Sequence, residues 1–207
     1  MKLVFIRHGQ SVCNKLRENQ KMMRYDDAAP LNEEGIAQVE KLAVFTKKIF
    51  PSYIMYTSPL ARAAQSSEIL HKNHPAKGLM FADDIREMRT KEQFDREITV
   101  KEWDIYLEQR YANPQDIIFG IESLQSQYNR VSAFCSDIIK KNPDGNVIIM
   151  THAFCIEIAI IYYMGLDLKS LKSLRIHVSN TGVFVIDIIK DKSEIICMNS
   201  LAHLSRY

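Results

Sequence analysis

Apolar positions along the chain fall into two rhythms, one of strands and one of helices. Lys2-Leu-Val-Phe-Ile6 is a short apolar run that ends in Arg7-His8-Gly9, the form of a strand buried on both faces of a parallel sheet. After Asn32 the rhythm changes, and Ile36, Val39, Leu42, Ala43 and Ile49 recur at helical spacing. Asn32 is a good N-cap, Glu33 and Glu34 sit at the positive end of the helix dipole, and Pro51 stops the run. Tyr53-Ile-Met-Tyr56 predicts a second strand. Ser58 followed by Pro59 predicts a helix start with Ser58 as N-cap, running from Leu60 to about His71. A shorter third strand is predicted near Leu79 to Ala82.

From Asp83 to Ile121 the regular pattern breaks. This stretch is rich in charge, holds the only tryptophan, Trp103, and mixes short helical patterns with loops. It reads as an insertion over one end of the sheet, the position of a substrate lid. Regularity returns with a helix from about Ser123 to Lys141, the turn Asn142-Pro-Asp-Gly145 and a strand over Val147-Ile-Ile-Met150 that runs into Thr151-His152. A helix follows from about Phe154 to Met164. Two last strands, about Val183 to Ile189 and Glu194 to Asn199, flank the turn-like Lys190-Asp-Lys-Ser193 and predict a hairpin.

Strands alternating with helices predict an α/β fold: a three-layer sandwich, its central sheet mostly parallel, helices on both faces, and an antiparallel edge from the hairpin. At 207 residues the chain fits one domain carrying the 83–121 insertion. It is 46% hydrophobic and 25% charged, the mixture of a globular protein able to bury about 70% of its unfolded surface without disulfide or metal support. Lysine plus arginine is 27 against 25 acids, a formal charge of +2, which provides no general attraction to nucleic acid or membrane. Cys13, Cys135, Cys155 and Cys197 form no CxxC pair, and no signal peptide or membrane-length apolar segment is present. A soluble, cytoplasmic protein with reduced thiols is expected.

Ligands of open parallel sheets bind beyond the carboxyl ends of the strands. Three strands here end in basic side chains: Arg7-His8 after the first, Arg62 beyond the second, His152 after the fourth. Brought together, two guanidiniums can grip phosphate oxygens through paired hydrogen bonds, and their charge should hold a neighbouring histidine neutral. A neutral imidazole can attack phosphorus, so the cluster predicts phosphoryl transfer to a histidine nitrogen. Singly, each residue has a plainer reading: a loop, a surface cation on an amphipathic helix, a core histidine. His71, His74 and His177 lack a strand-end position and read as surface or structural.

Arg7-His8-Gly9-Gln10-Ser11 with Asn14 resembles the signature of the histidine phosphatase superfamily, the phosphoglycerate mutase-like proteins. Pro30-Leu31-Asn32-Glu33-Glu34-Gly35 is similar to its Leu-Thr-x-x-Gly segment, with asparagine replacing threonine. Tyr56 to Ser66 resembles its second phosphate-binding segment, and Thr151-His152-Ala153 its second histidine, where the family usually continues with glycine. Asn180-Thr181-Gly182 and Ala202-His203-Leu204 add to the likeness. The resemblance implies His8 as the nucleophile that becomes phosphohistidine, with Arg7, Arg62 and His152 binding phosphate and Asn14 adding a neutral hydrogen bond. Ile85-Arg86-Glu87 resembles the family's Leu-x-Glu position, which makes Glu87 the general acid and then the base. Gln10, Ser11, Arg86 and Ala153 are assigned with Asn14 to substrate binding. No cofactor and no metal is implied.

The resemblance covers mutases as well as phosphatases. The segment Glu87 to Asp95 lacks the tyrosine and glycines that glycolytic mutases carry after the acid, so a phosphatase of small phosphomonoesters is expected. Phosphoglycerate mutase and a non-catalytic phosphate-binding module remain as alternatives. Arg86, Arg89, Lys91 and Arg96 would favour a multiply charged substrate, or are ordinary solvated charges. The expected partner is a small phosphorylated metabolite, with no nucleic acid or membrane; pairing into a homodimer stays open.

Overall fold

A computed structural model of the chain describes residues 1–18, 26–90, 99–190 and 192–205. Six strands are seen among these residues: β1 (Lys2–Arg7), β2 (Ile54–Thr57), β3 (Leu79–Phe81), β4 (Val147–Thr151), β5 (Val183–Ile189) and β6 (Lys192–Ser200). They form one sheet in the order β3-β2-β4-β1-β5-β6. The first four are mutually parallel, whereas β5 runs antiparallel to β1 and the β5–β6 hairpin closes one edge. The expected architecture is therefore present, and the predicted strands fall within two residues of their observed ends.

Alternation along the central strands builds two cores. Leu3, Phe5, Val147 and Ile149 face α5 (Leu124–Lys141) and α6 (Ala153–Tyr163), packing with Phe134, Ile138, Ile156 and Ile160. Val4, Ile6, Ile148 and Met150 face the opposite way, against Val39 and Leu42 of α2 (Glu33–Ile49) and Ala63 and Leu70 of α3 (Ala61–Asn73). A period of two across a sheet covered on both faces accounts for the near-continuous apolar runs in β1 and β4.

The caps hold local surprises. Asn32 caps α2 as expected, its side chain accepting from the Gly35 N–H. At α3 the N-cap is Leu60 rather than Ser58, and Leu60 makes no side-chain cap bond. Ser58 Oγ still accepts the Leu60 N–H at 3.3 Å, but it also lies 2.8 Å from His152 Nε2, so the hydroxyl serves the strand ends instead of the helix. Two helices were not resolved by apolar spacing: α1 (Val12–Glu18), and α4 (Val100–Ala112) inside the 83–121 stretch. Thr99 and Glu102 form a reciprocal capping box at the start of α4, a signal present in the sequence as Thr-x-x-Glu. Among the described residues no helix is long and apolar enough to cross a membrane.

Candidate active site

Because β2, β4 and β1 are adjacent and parallel, their carboxyl ends deliver Arg62, His152 and Arg7-His8 to one edge of the sheet. Arg7 is the last residue of β1, paired in register with Thr151 of β4, and His152 follows as the N-cap of α6. The His8 and His152 rings stand edge to face, centroids 5.0 Å apart. Arg62 Nε donates to His8 Nε2 at 3.2 Å, and its Nη1 donates to the Asp26 carbonyl at 3.1 Å. Arg7 Nη1 donates to the Val178 carbonyl at 2.7 Å. The loop before β5 clasps the same backbone: Thr181 N–H donates to Arg7 O, and Asn180 Nδ2 to His8 O at 3.0 Å.

These contacts define the His8 ring. Its Nδ1 lies 2.7 Å from the Gly9 carbonyl, an acceptor only, so Nδ1 carries the proton. The lone pair is then on Nε2, where it accepts from Arg62. Burial pushes the His8 pKa well below its ordinary value, with the Arg62 and Arg7 charges adding to the shift. Burial, rather than the two cations, is the larger cause. His152 is driven down in the same way, by burial first and then by Arg62 and His8. Both rings are neutral at neutral pH. His152 is fully buried beside His8, with Nε2 on Ser58 and no partner at Nδ1 among the described residues.

Glu87 is half-buried and its Oε1 accepts the Phe154 N–H, in the first turn of α6, at 3.1 Å. Burial raises the Glu87 pKa, outweighing the opposing pull of Arg62, Arg7 and the Phe154 N–H. A carboxyl raised in this way keeps its proton to higher pH than a solvated glutamate, the direction a general acid needs.

Arg7, His8, Arg62 and Glu87 line one cavity of about 370 Å³. Ser11, Asn14 and Ala153 also reach it. Asn14 Oδ1 accepts from the Ser11 N–H and from Asn180 Nδ2, both at 3.1 Å, which leaves the Nδ2 end to offer donors. Apolar side chains complete the lining: Met88, Phe154 and Val178, with Trp103, Leu107 and Tyr111 supplied by α4. A larger, more open cleft of about 600 Å³ near Tyr128 and Lys172 holds none of the strand-end residues.

Three of the residues expected to bind phosphate or substrate do not line the cavity: His152, whose ring is fully buried, Gln10 and Arg86. Gln10 is buried and its Oε1 accepts from Asn32 Nδ2 at 2.7 Å, tying the loop after β1 to the start of α2. Arg86 is drawn aside by two carboxylates, Asp27 and Asp83, and Arg89 also pairs with Asp83, at 2.5 Å. Lys91 and Arg96 lie outside the described residues. Conversely His177, read as surface or structural, does line the cavity. Its position depends on the irregular loop before β5, which carries no periodic signal. Among the described residues, no group of three or more His, Cys, Asp and Glu is gathered as metal ligands would be.

A sequence profile of the histidine phosphatase superfamily (branch 1) matches residues 3–201. The chain belongs to the histidine phosphatase superfamily. This histidine phosphatase is 36% identical over 190 residues to the 5''-phosphoribostamycin phosphatase of Niallia circulans, a match covering 90% of this chain and 89% of the relative. Phosphoserine phosphatase 1 of Hydrogenobacter thermophilus is 24% identical over 223 residues, covering 100% of this chain and 96% of the relative. A mutant phosphoserine phosphatase of Entamoeba histolytica, solved with phosphoserine, shares the fold with a TM-score of 0.78 at 21% identity, 99% of each chain being covered. The reaction class of this chain is phosphomonoester hydrolysis.

Proposed function

We propose that the protein hydrolyses small phosphomonoesters in two in-line steps at His8. The observation that carries this reading is a neutral His8 with its lone pair on Nε2, sharing one cavity with two guanidiniums and a carboxyl of raised pKa. In the first step the Nε2 lone pair forms a bond to phosphorus while the ester P–O bond breaks. Glu87 gives its proton to the departing oxygen. In the second step a water oxygen attacks phosphorus, the Glu87 carboxylate takes the water proton, and the N–P electron pair returns to Nε2. Arg7, Arg62 and the Asn14 amide donate to the equatorial oxygens, where charge is spread in the transition state, and His152 packs against the His8 ring without reaching the cavity. Their charge and donors do without a metal or other cofactor.

The 83–121 segment acts as the lid of a single domain, and α4 brings it to the cavity. The apolar part of the lining suits the alcohol part of a monophosphate. The side chains of Arg86 and Arg89 are held by Asp27 and Asp83, which speaks against a second phosphate and hence against the mutase reading. A pure binding module would need neither a neutral nucleophile nor a protonated acid. The partner is a small phosphorylated metabolite in the cytoplasm, without nucleic acid or membrane.

The test is phosphate release from a panel of monoesters in the presence of a chelator, with 5''-phosphoribostamycin and phosphoserine included. A phosphorylated protein trapped in wild type and missing from His8→Ala is expected; full turnover by His8→Ala would overturn the mechanism. Sedimentation of the same preparation reads whether two copies pair.

A further inference from the structure

Glu87 lies in a turn whose carbonyl oxygens are all held from outside. Asp84 O accepts from Arg130 Nη1 at 2.6 Å, and Ile85 O from Thr151 Oγ1 at 2.7 Å. Arg86 O accepts from the same Arg130 Nη1 at 2.8 Å and from Cys155 Sγ at 2.9 Å. Glu87 O accepts from both Arg130 Nη2 and Gln127 Nε2. Four consecutive carbonyls are thus gripped by α5, by the end of β4 and by α6. One guanidinium supplies three of them.

Arg130 is itself fixed. It is 8% exposed, and its Nε and Nη2 donate to the two carboxylate oxygens of Glu122, whose side chain is equally buried. Glu122 Oε1 also accepts the Arg89 N–H at 2.8 Å, extending the grip past Glu87. Gln127 is fully buried; its Oε1 accepts from Arg110, whose guanidinium stands 4.8 Å from the Phe154 ring centroid. Phe154 N–H holds the Glu87 carboxylate. Backbone and side chain of Glu87 are therefore fastened by one connected set of buried groups. None of Glu122, Gln127 and Arg130 lines the cavity.

A buried ion pair is a weak source of stability in itself, because desolvation offsets its attraction. It is a strong source of geometry, since a planar five-donor fork fits several acceptors in only one orientation. We propose that Arg130, anchored by Glu122 and assisted by Gln127, positions Glu87 for proton transfer. These are positioning residues, acting through the turn and not on the substrate, and the inference rests on Glu87 as the general acid.

The test measures single-turnover phosphoryl transfer from an aryl phosphate, 4-nitrophenyl phosphate, and from an alkyl phosphate, glycerol 2-phosphate, in Arg130→Lys, Glu122→Gln and Glu87→Gln. The aryl oxygen leaves without a proton; the alkyl oxygen needs one. Arg130→Lys should slow the alkyl ester about 100-fold, as a displacement near 1 Å does, and leave the aryl ester within about threefold. Glu122→Gln, which keeps the fork but loosens its anchor, should show the same selectivity at smaller size and carries the test if Arg130→Lys does not fold. Equal slowing of both esters by these two variants, with Glu87→Gln still selective, overturns the clamp alone. Equal slowing by Glu87→Gln overturns the acid assignment and the clamp with it.

Discussion

A Cβ placed on Gly35 would stand 2.0 Å from the carbonyl oxygen of Gln10, and a Cβ on Gly9 would meet the Gly35 carbonyl oxygen at 2.5 Å. The loop carrying His8 therefore crosses the first turn of α2 with backbone against backbone. Neither glycine is required by a left-handed φ; each is required by space. Because the obstructing atoms are main chain, they cannot yield as a flexible side chain would. Gly35→Ala should cost about 1–3 kcal/mol of stability, as overpacking does. It should also lower kcat/KM by about 100-fold through displacement of His8. Urea unfolding and phosphate release check both, and wild-type activity in this variant would show the crossing to have slack.

This contact explains why the site was legible in the sequence. His8 and His152 directly follow strand ends, and Arg62 sits in the first turn of the helix after β2, while strand ends are read from apolar runs that stop abruptly. Glycines at 9 and 35 mark the crossing that aims the first of them. Gln10 belongs to the same motif, but its work is to tie that crossing together through Asn32, a role that motif membership alone does not distinguish from substrate contact. Arg86 was misplaced for a different reason: Asp27, which captures its guanidinium, is 59 residues away in sequence, and such a pairing has no local signature. His177 and the wall residues of α4 depend on how irregular segments pack, where no periodicity reports direction. The buried grip on the Glu87 turn was equally invisible, since Arg130 and Gln127 resemble ordinary polar positions of an amphipathic helix until their carbonyl partners are seen.

Acid should destabilise this fold through its buried histidines. His8 and His152 titrate near 6.5 when unfolded and well below that in the native state. As pH falls below 6.5 the unfolded chain takes up protons that the native chain refuses. Their contribution is therefore complete above 6.5 and is lost progressively as pH falls toward the native values. The two groups act in the same direction, so their losses add as pH falls below 6.5. Glu87 has the opposite sign: its pKa is raised by burial, so its contribution is present at low pH and lost as pH rises through the native value. Unfolding free energies measured across this range should fall toward acid, with a shallower slope in His8→Gln. An unchanged slope in that variant would mean His8 titrates normally.

Arg62→Lys should be far from conservative. Lysine keeps the charge but loses Nε, which donates to His8 Nε2, and the Nη1 contact to Asp26 O that fixes the guanidinium plane. A loss of about 100- to 1,000-fold in kcat is expected, the size seen when one donor to a transition-state oxygen is removed. KM should change much less, since a cation remains to attract the phosphate. A fall in kcat/KM carried wholly by KM would instead assign Arg62 to ground-state binding.

Trp103 is the only tryptophan in the chain, and it lines the His8 cavity with its ring centroid 6.2 Å from that of Phe154. Its emission therefore reports on the alcohol side of the cavity without interference from any other indole. A substrate whose alcohol part reaches this wall should change that emission when it binds to His8→Ala, the variant expected not to turn it over. Inorganic phosphate, which occupies only the cationic end, should change it far less. The two ligands thus separate the ends of one cavity in a single titration. Equal responses to both would mean that phosphate binding moves α4 itself, and the wall would then be a reporter of closure instead of a contact for the alcohol.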